Sequence, residues 1–311
     1  LVKSEKTIYF ILALVVISWG LNIVMVKYLT QFISPMLVAA IRIPLAGIVL
    51  LPFVLKKYGF YKPNAKQWGL LFLIGLTSIF FHQLFLAYGV VTTTATNASL
   101  ILGLNPLTTA LLASIFIGEK FSMRLGLGIL FGFSGVVLVV TSKSADSSVG
   151  LSGWGDVIML LSMLAYVVGA LFIKKLSTTS MPTVVVTTYS TLIGGVMLNL
   201  GTVTFFGPSS YAQIHMPAIA WAVMLMSAWG ASSLGTLGWN HGIKFLGANK
   251  TAMFLNGLPF ASMVGGIIFL DEKIGWIHVV AFLLTTVGIV IGTLKKRDSR
   301  LPSVGGKSVN T

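Results

Sequence analysis

The sequence predicts an all-α integral membrane protein, with ten transmembrane helices forming two inverted five-helix repeats and both termini cytoplasmic. Three observations carry that reading. Residues 86–139 lie over residues 239–292 at a constant offset of 153, without a gap. Gly89 falls on Gly242, Pro106 on Pro259, Glu119-Lys120 on Glu272-Lys273 and Gly135 on Gly288. The chain is 56% hydrophobic and 9% charged, against about 25% charged residues in soluble domains. Its basic residues are also placed asymmetrically between successive apolar segments. Five apolar segments separate one copy of the repeat from the next, so the second copy stands upside down in a bilayer. Inverted repeats characterise secondary transporters, whose substrate site lies at the repeat interface near mid-membrane.

A helix needs about 20 apolar residues to cross about 30 Å of hydrocarbon. Ten segments meet that length: 8–28, 36–55, 68–90, 94–117, 123–141, 153–173, 182–206, 217–240, 247–270 and 274–294. Lys3 and Lys6 ahead of the first resemble a signal peptide. That run is long, lacks a small-residue exit and is followed by nine others, so it reads as a retained span. Proline and glycine punctuate the connections at Ser34-Pro35, Lys62-Pro63 and Gly207-Pro208. With the N-terminus inside, the inner segments hold all of the 21 lysines and arginines except Lys27, Arg42, Lys143 and Lys273. Positive charge is retained on the cytoplasmic side, which sets the orientation and also accounts for the basic excess without nucleic acid. The first repeat then covers 1–149, the second 150–297, and a polar cytoplasmic tail 298–311.

Polar side chains inside hydrocarbon are costly, so each is a candidate for function. The predicted cavity residues are Trp19 and Asn22 in the first span, His82 in the third, and Asn97 and Asn105 in the fourth. Tyr166 in the sixth, Trp229 and Ser233 in the eighth and Asn256 in the ninth complete the set. Residues three or four apart share a helix face. Asn97, Ile101, Asn105 and Thr108 therefore form one stripe, and Trp229, Ser233, Thr236 and Asn240 another. Ser78, His82 and Phe85 form a third. The competing reading for any single Ser or Thr is a hydrogen bond between helices.

Pro106 and Pro259 each remove a backbone donor, and their repetition at one offset predicts a kink that serves as a hinge. Glu119 and Glu272 fall at helix C-termini, where the macrodipole disfavours an anion. Both need compensation from a neighbouring lysine or from a helix N-terminus of the opposite repeat, and a gating role is expected. Gly128-x-x-x-Gly132 and Gly288-x-x-x-Gly292 predict close packing of the fifth and tenth spans. The acidic residues lie at or near span ends, and His82 is the histidine deep in a span. The sequence therefore predicts no metal, no cofactor and no catalytic residue, and argues against coupling through a core carboxylate.

Taken together, these features resemble the drug/metabolite transporter superfamily, in its ten-helix EamA-type branch. The resemblance covers residues 8–294. It is carried by Ser18-Trp19-Gly20 with Asn22 and Lys27, Pro35 and Arg42, Tyr88-Gly89, Ala95 to Pro106 and Gly118-Glu119-Lys120. The second half adds Leu246-Gly247-Ala248, Asn256, Pro259 and Leu270-Asp271-Glu272-Lys273. Asp271 departs from the pattern, standing where Gly118 stands in the first half. The resemblance implies export of small metabolites, often amino acids, from a cavity built by spans 1, 3, 4, 6, 8 and 9. A third-span histidine and aromatic cavity residues are similar to those of the aromatic amino-acid exporters of the family.

The expected protein is thus a multi-pass transporter of a bacterial inner membrane rather than an enzyme. It meets a small-molecule substrate and membrane lipid, and forms a monomer or weak dimer. A carrier of sugar phosphates or nucleotide sugars is the transport alternative, which needs basic groups at mid-membrane; Arg42 and Lys27 approach that depth. A membrane-embedded transferase is the alternative of another class, and it needs acidic pairs or an Asp/His/Ser constellation.

Overall fold

The computed structural model describes residues 4–141, 152–176, 179, 181–246, 251 and 253–293. The 298–311 tail, the boundary between residues 149 and 150, and Gly247-Ala248 lie outside the described residues. Ten helices are long and apolar enough to span a membrane. We number them α1 (Glu5–Leu29), α2 (Pro35–Tyr58), α3 (Ala65–Thr92), α4 (Ala95–Phe116) and α5 (Met123–Thr141). The second half holds α6 (Trp154–Leu176), α7 (Thr183–Phe206), α8 (Ala218–Leu246), α9 (Met253–Leu270) and α10 (Trp276–Thr293).

Local chemistry sets several helix starts. Ser34 Oγ accepts from Leu37 N–H and Pro35 occupies the first turn, where its missing N–H costs nothing. Asn64 and Gln67 form a reciprocal capping box before α3, each bond 2.9 Å. Thr94 Oγ1 accepts from Asn97 N–H at 3.0 Å to begin α4.

The helix pairings obey the inversion. α2 packs on α7 and α5 on α10, so each of these pairs maps onto itself when the repeats are exchanged. α1 packs on α9 and on α8, and the exchanged pairs, α6 on α4 and α6 on α3, are also in contact. The glycines of α5 and α10 let the two backbones meet. A Cβ at Gly128 would stand 2.6 Å from Gly288 O, and one at Gly135 2.7 Å from Ala281 O.

Two features depart from regular helices. α3 widens into a π-helical stretch at Gly75–Phe81, and α8 does so at Met226–Leu234. The 153-residue offset carries the first onto 228–234, so the irregularity is shared by the repeats. The fourth and ninth spans are not long helices bent at a central proline. α4 breaks at Leu104 and restarts at Asn105, which leaves Pro106 in a first turn. In α9 a 3₁₀ turn at Met253–Asn256 precedes the helix Gly257–Leu270, again with the proline near its start. A first turn has free N–H groups anyway, so proline starts the second half-helix more readily than it bends a continuous one.

Candidate functional site

α1 begins and α10 ends at one end of the bundle, here the termini face; the opposite end is the far face. Between them, α1, α3, α6 and α8 bring several of the polar residues together. His82 is buried on α3 at the end of the π stretch. Its Nδ1 lies 3.0 Å from the Ser162 carbonyl on α6 and 2.9 Å from Ser162 Oγ. A carbonyl only accepts, so the proton sits on Nδ1, and the Ser162 hydroxyl donates to the His82 carbonyl at 2.9 Å. The imidazole is thereby fixed in one tautomer, with Nε2 left as its free nitrogen. One turn beyond Ser162, the Tyr166 ring lies 5.1 Å from the imidazole and stays 38% exposed.

Trp19 on α1 donates from Nε1 to the Ala231 carbonyl at 2.8 Å, inside the α8 π stretch, and its ring lies 5.1 Å from that of Trp239. Asn22, one turn along, accepts on Oδ1 from Ser227 and from Arg42. Trp229 is half-exposed, at 41%. Ser233, expected on the same lining stripe, is instead fully buried and donates toward Ala46 O at 2.9 Å on α2 and Ala228 O at 3.0 Å. The cause is the π stretch: bonds reaching five residues back change the angular step, so a 3.6-residue stripe does not continue through it. Ser227 and Ser232, five apart, occupy the inward positions instead.

Asn97, Asn105 and Asn256 stand on the α4–α9 side. Asn97 is buried near the start of α4, and Asn256 donates from Nδ2 to Met253 O at 2.9 Å. Each of the three leaves its side-chain carbonyl oxygen buried without a donor. A buried acceptor without a donor costs about 1–3 kcal/mol, so each of these three oxygens carries an unmet bond.

The two glutamates meet lysines of the opposite repeat at opposite ends of the bundle. Glu272, beyond α9 at the far face, pairs with Lys27 at 3.1 Å. It also accepts from Ala95 N–H at 2.6 Å, Thr96 N–H at 3.2 Å and Thr96 Oγ1 at 3.0 Å. The N-terminus of α4, a positive dipole end, thus holds the carboxylate that the C-terminus of α9 would repel. Lys27 additionally donates to Thr93 O at 2.6 Å, and Thr93 donates to Asp156 at the start of α6. At the termini face Glu119 pairs with Lys174. Gln83, Ser162, Ser227 and Ser232 were not singled out in the sequence. Ser162 carried the clearest signal, four residues before Tyr166 on one helix face. Among the described residues no three His, Asp or Glu side chains converge as metal ligands.

The EamA-like transporter family model matches residues 6–141 and again 153–294. The chain belongs to the EamA-like transporter family. Among relatives of this EamA-like chain is an uncharacterized transporter, YyaM, of Bacillus subtilis (strain 168). It is 33% identical over 92% of this chain and 95% of its own length. A WAT1-related chloroplastic protein of Arabidopsis thaliana is 28% identical over 88% of this chain and 66% of its own. A solved crystal structure shares the fold, with a TM-score of 0.66 and 16% identity, covering 93% of this chain and 96% of that one. The EamA-like family accounts for the double match: one five-helix unit, present twice.

Proposed function

We propose that this EamA-like transporter exports small metabolites, amino acids with neutral or aromatic side chains foremost, by alternating access between repeats 1–149 and 150–297. The observation that supports the reading best is the ring-and-amide group between the repeats. Tyr166 of the second repeat lies on His82 of the first, and Trp19 of the first is bonded to Ala231 of the second. Rings offer apolar area to a side chain, while amides and hydroxyls orient its polar end. Asn22, Asn97, Asn105, Trp229 and Asn256 extend the same surface. The breaks at Pro106 and Pro259 supply the hinges. Glu119 and Glu272, each ion-paired across the repeat interface, act as closures at the two ends.

In this reading the protein resides in a bacterial inner membrane with both termini in the cytoplasm. It works as a monomer or weak dimer, without cofactor or metal. The test is flux through purified protein in liposomes. Labelled aromatic and branched amino acids should move, and Trp19→Ala, His82→Ala or Asn105→Ala should slow them while the protein still folds. Absence of transport for every member of a broad metabolite panel would overturn the proposal. The chain has no cysteine, so single engineered cysteines at 119 and 272 report orientation directly. Labelling of both from one side would refute the inverted arrangement.

A further inference from the structure

Arg42 sits about two turns into α2 and is 1% exposed, the largest fully buried side chain of the described residues. It reaches the junction of α1, α3 and α8. One terminal nitrogen lies 3.4 Å from Asn22 Oδ1, 3.4 Å from Ser227 Oγ and 3.3 Å from Ser232 Oγ. The other donates to Gln83 Oε1. Nε has no acceptor. No carboxylate pairs with it among the described residues. Glu272 is held by Lys27, Glu119 by Lys174, and Asp156 accepts from Thr93.

A lone cation in a membrane interior is expensive unless an anion or several good acceptors meet it. Here the acceptors are all neutral. Three of them share one nitrogen at distances beyond the usual range of about 2.7–3.2 Å, and two hydrogens cannot serve three oxygens well. A guanidinium presents five N–H groups, and the edge formed by Nε and the Gln83-bound nitrogen has one acceptor for three hydrogens. That edge is a fork matched to the two oxygens of a carboxylate. Gln83, Ser227 and Ser232 are rotatable side chains that can turn away without stranding a charge.

We propose that Arg42 is the anion subsite of the transport pathway and takes the carboxylate of the solute. The proposal rests on the transporter reading and adds the chemical class: a carboxylate beside the His82–Tyr166 and Trp19 rings. The subsite is contiguous with that group, because Gln83 follows His82 and Asn22 lies one turn beyond Trp19. A single guanidinium suits a monoanion. A phosphate dianion calls for a second cation, and Lys27 is bound to Glu272.

The test uses the full chain and matched solutes: phenylalanine, its amide, phenethylamine, 3-phenylpropionate and a phenyl phosphate, read by competition of flux and by ligand-induced shifts of the melting temperature. Wild type should prefer the acid over the amide by about 10- to 100-fold, the worth of a charge-assisted bond. Arg42→Gln should erase that preference by weakening the acid far more than the amide, and Arg42→Lys should restore part of it. A purely structural Arg42 would instead slow every solute alike and keep the preference for the acid, which overturns the proposal. If Arg42→Gln does not fold, wild type decides alone: equal response to acid and amide, or no response to any carboxylate, overturns the subsite. Preference for the phosphate overturns the carboxylate assignment. A response to 3-phenylpropionate but not to phenylalanine keeps the subsite and removes the amino-acid reading.

Discussion

The two ends of the bundle use the same backbone turn and close it differently. Beyond α4, Gly118 is left-handed, at φ +76°, and Glu119 N–H returns to Ala113 O at 3.3 Å. Beyond α9, Asp271 is left-handed, at φ +53°, and Glu272 N–H returns to Gly266 O at 3.1 Å. Both are helix ends in which the N–H after a left-handed residue reaches back six residues, one more than in the Schellman turn, and both aim a glutamate at a lysine of the other repeat. The surroundings diverge. The side chains of Lys27 and Glu272 are 21% and 6% exposed, whereas those of Lys174 and Glu119 are 45% and 48% exposed. Glu272 is further locked by two backbone N–H groups of α4, and Ser262 ties α9 to the Ala95 carbonyl at 2.9 Å. The comparison teaches that the repeat specifies the turn, while the partners across the interface decide how firmly each glutamate is held. The tighter of the two contacts therefore lies at the far face and the looser at the termini face.

Removing the buried carboxylate should give the largest effect. Glu272→Gln leaves Lys27 without its anion and gives the α4 N-terminus a neutral acceptor in place of a carboxylate. Loss of one partner of a buried pair costs about 3–5 kcal/mol, and the residual exposure of Lys27 places the expectation near about 3 kcal/mol. Thermal unfolding in detergent measures the loss. A single cysteine at Ala98, buried one turn inside α4, should then become reactive to an impermeant maleimide. Charge exchange sharpens the contrast. Lys174→Glu with Glu119→Lys should recover most of the single-mutant loss, because an exposed pair is symmetric in its Coulomb energy. Lys27→Glu with Glu272→Lys should not recover, because the Ala95 and Thr96 N–H groups still face position 272 and require an acceptor. Equal recovery at both ends would show that the α4 N-terminus contributes nothing to holding Glu272.

A smaller effect belongs to the exposed pair itself. Glu119→Gln should cost no more than about 1 kcal/mol, and raising ionic strength to about 1 M should mask the loss, since the Debye length falls to about 3 Å. Glu272→Gln should keep its effect in the same salt. A salt-sensitive far face would erase the distinction drawn from burial.

The ten spans were legible because twenty apolar residues in a row admit few other structures, and the inversion because Pro106, Glu119 and their mates repeat at one offset. The need to compensate Glu119 and Glu272 followed from helix polarity alone. What the sequence could not show is where a helix departs from 3.6 residues per turn. The π stretches at Gly75–Phe81 and Met226–Leu234 turn Ser233 onto α2 and bring Ser227 and Ser232 inward. Arg42 was visible as a charge at depth, but its neighbours come from three other helices with sequence separations of 20 to 190. No local periodicity encodes such a meeting. Pro106 and Pro259 were read as bends inside helices, yet each lies near the start of a half-helix, since proline's lost donor is harmless there.

The finest test concerns the shared turn. Only Asp271 among the described non-glycine residues has a positive φ, and a left-handed L-residue costs about 1–2 kcal/mol, less for Asp and Asn, whose short polar side chains bond locally. Asp271→Gly should therefore change stability by less than about 1 kcal/mol, relief of the turn being partly offset by the greater freedom of glycine in the unfolded chain. Gly118→Asn should be similarly mild, because asparagine is the commonest substitute for glycine at this cap. A β-branched Val at either position should cost the full penalty of about 1–2 kcal/mol. Melting temperatures of the four variants, at unchanged flux for the mild pair, measure this. Should Gly118→Asn cost as much as Gly118→Val, the two turns would not be one device used twice. The difference between the two ends would then begin in the backbone rather than in the partners that each glutamate meets.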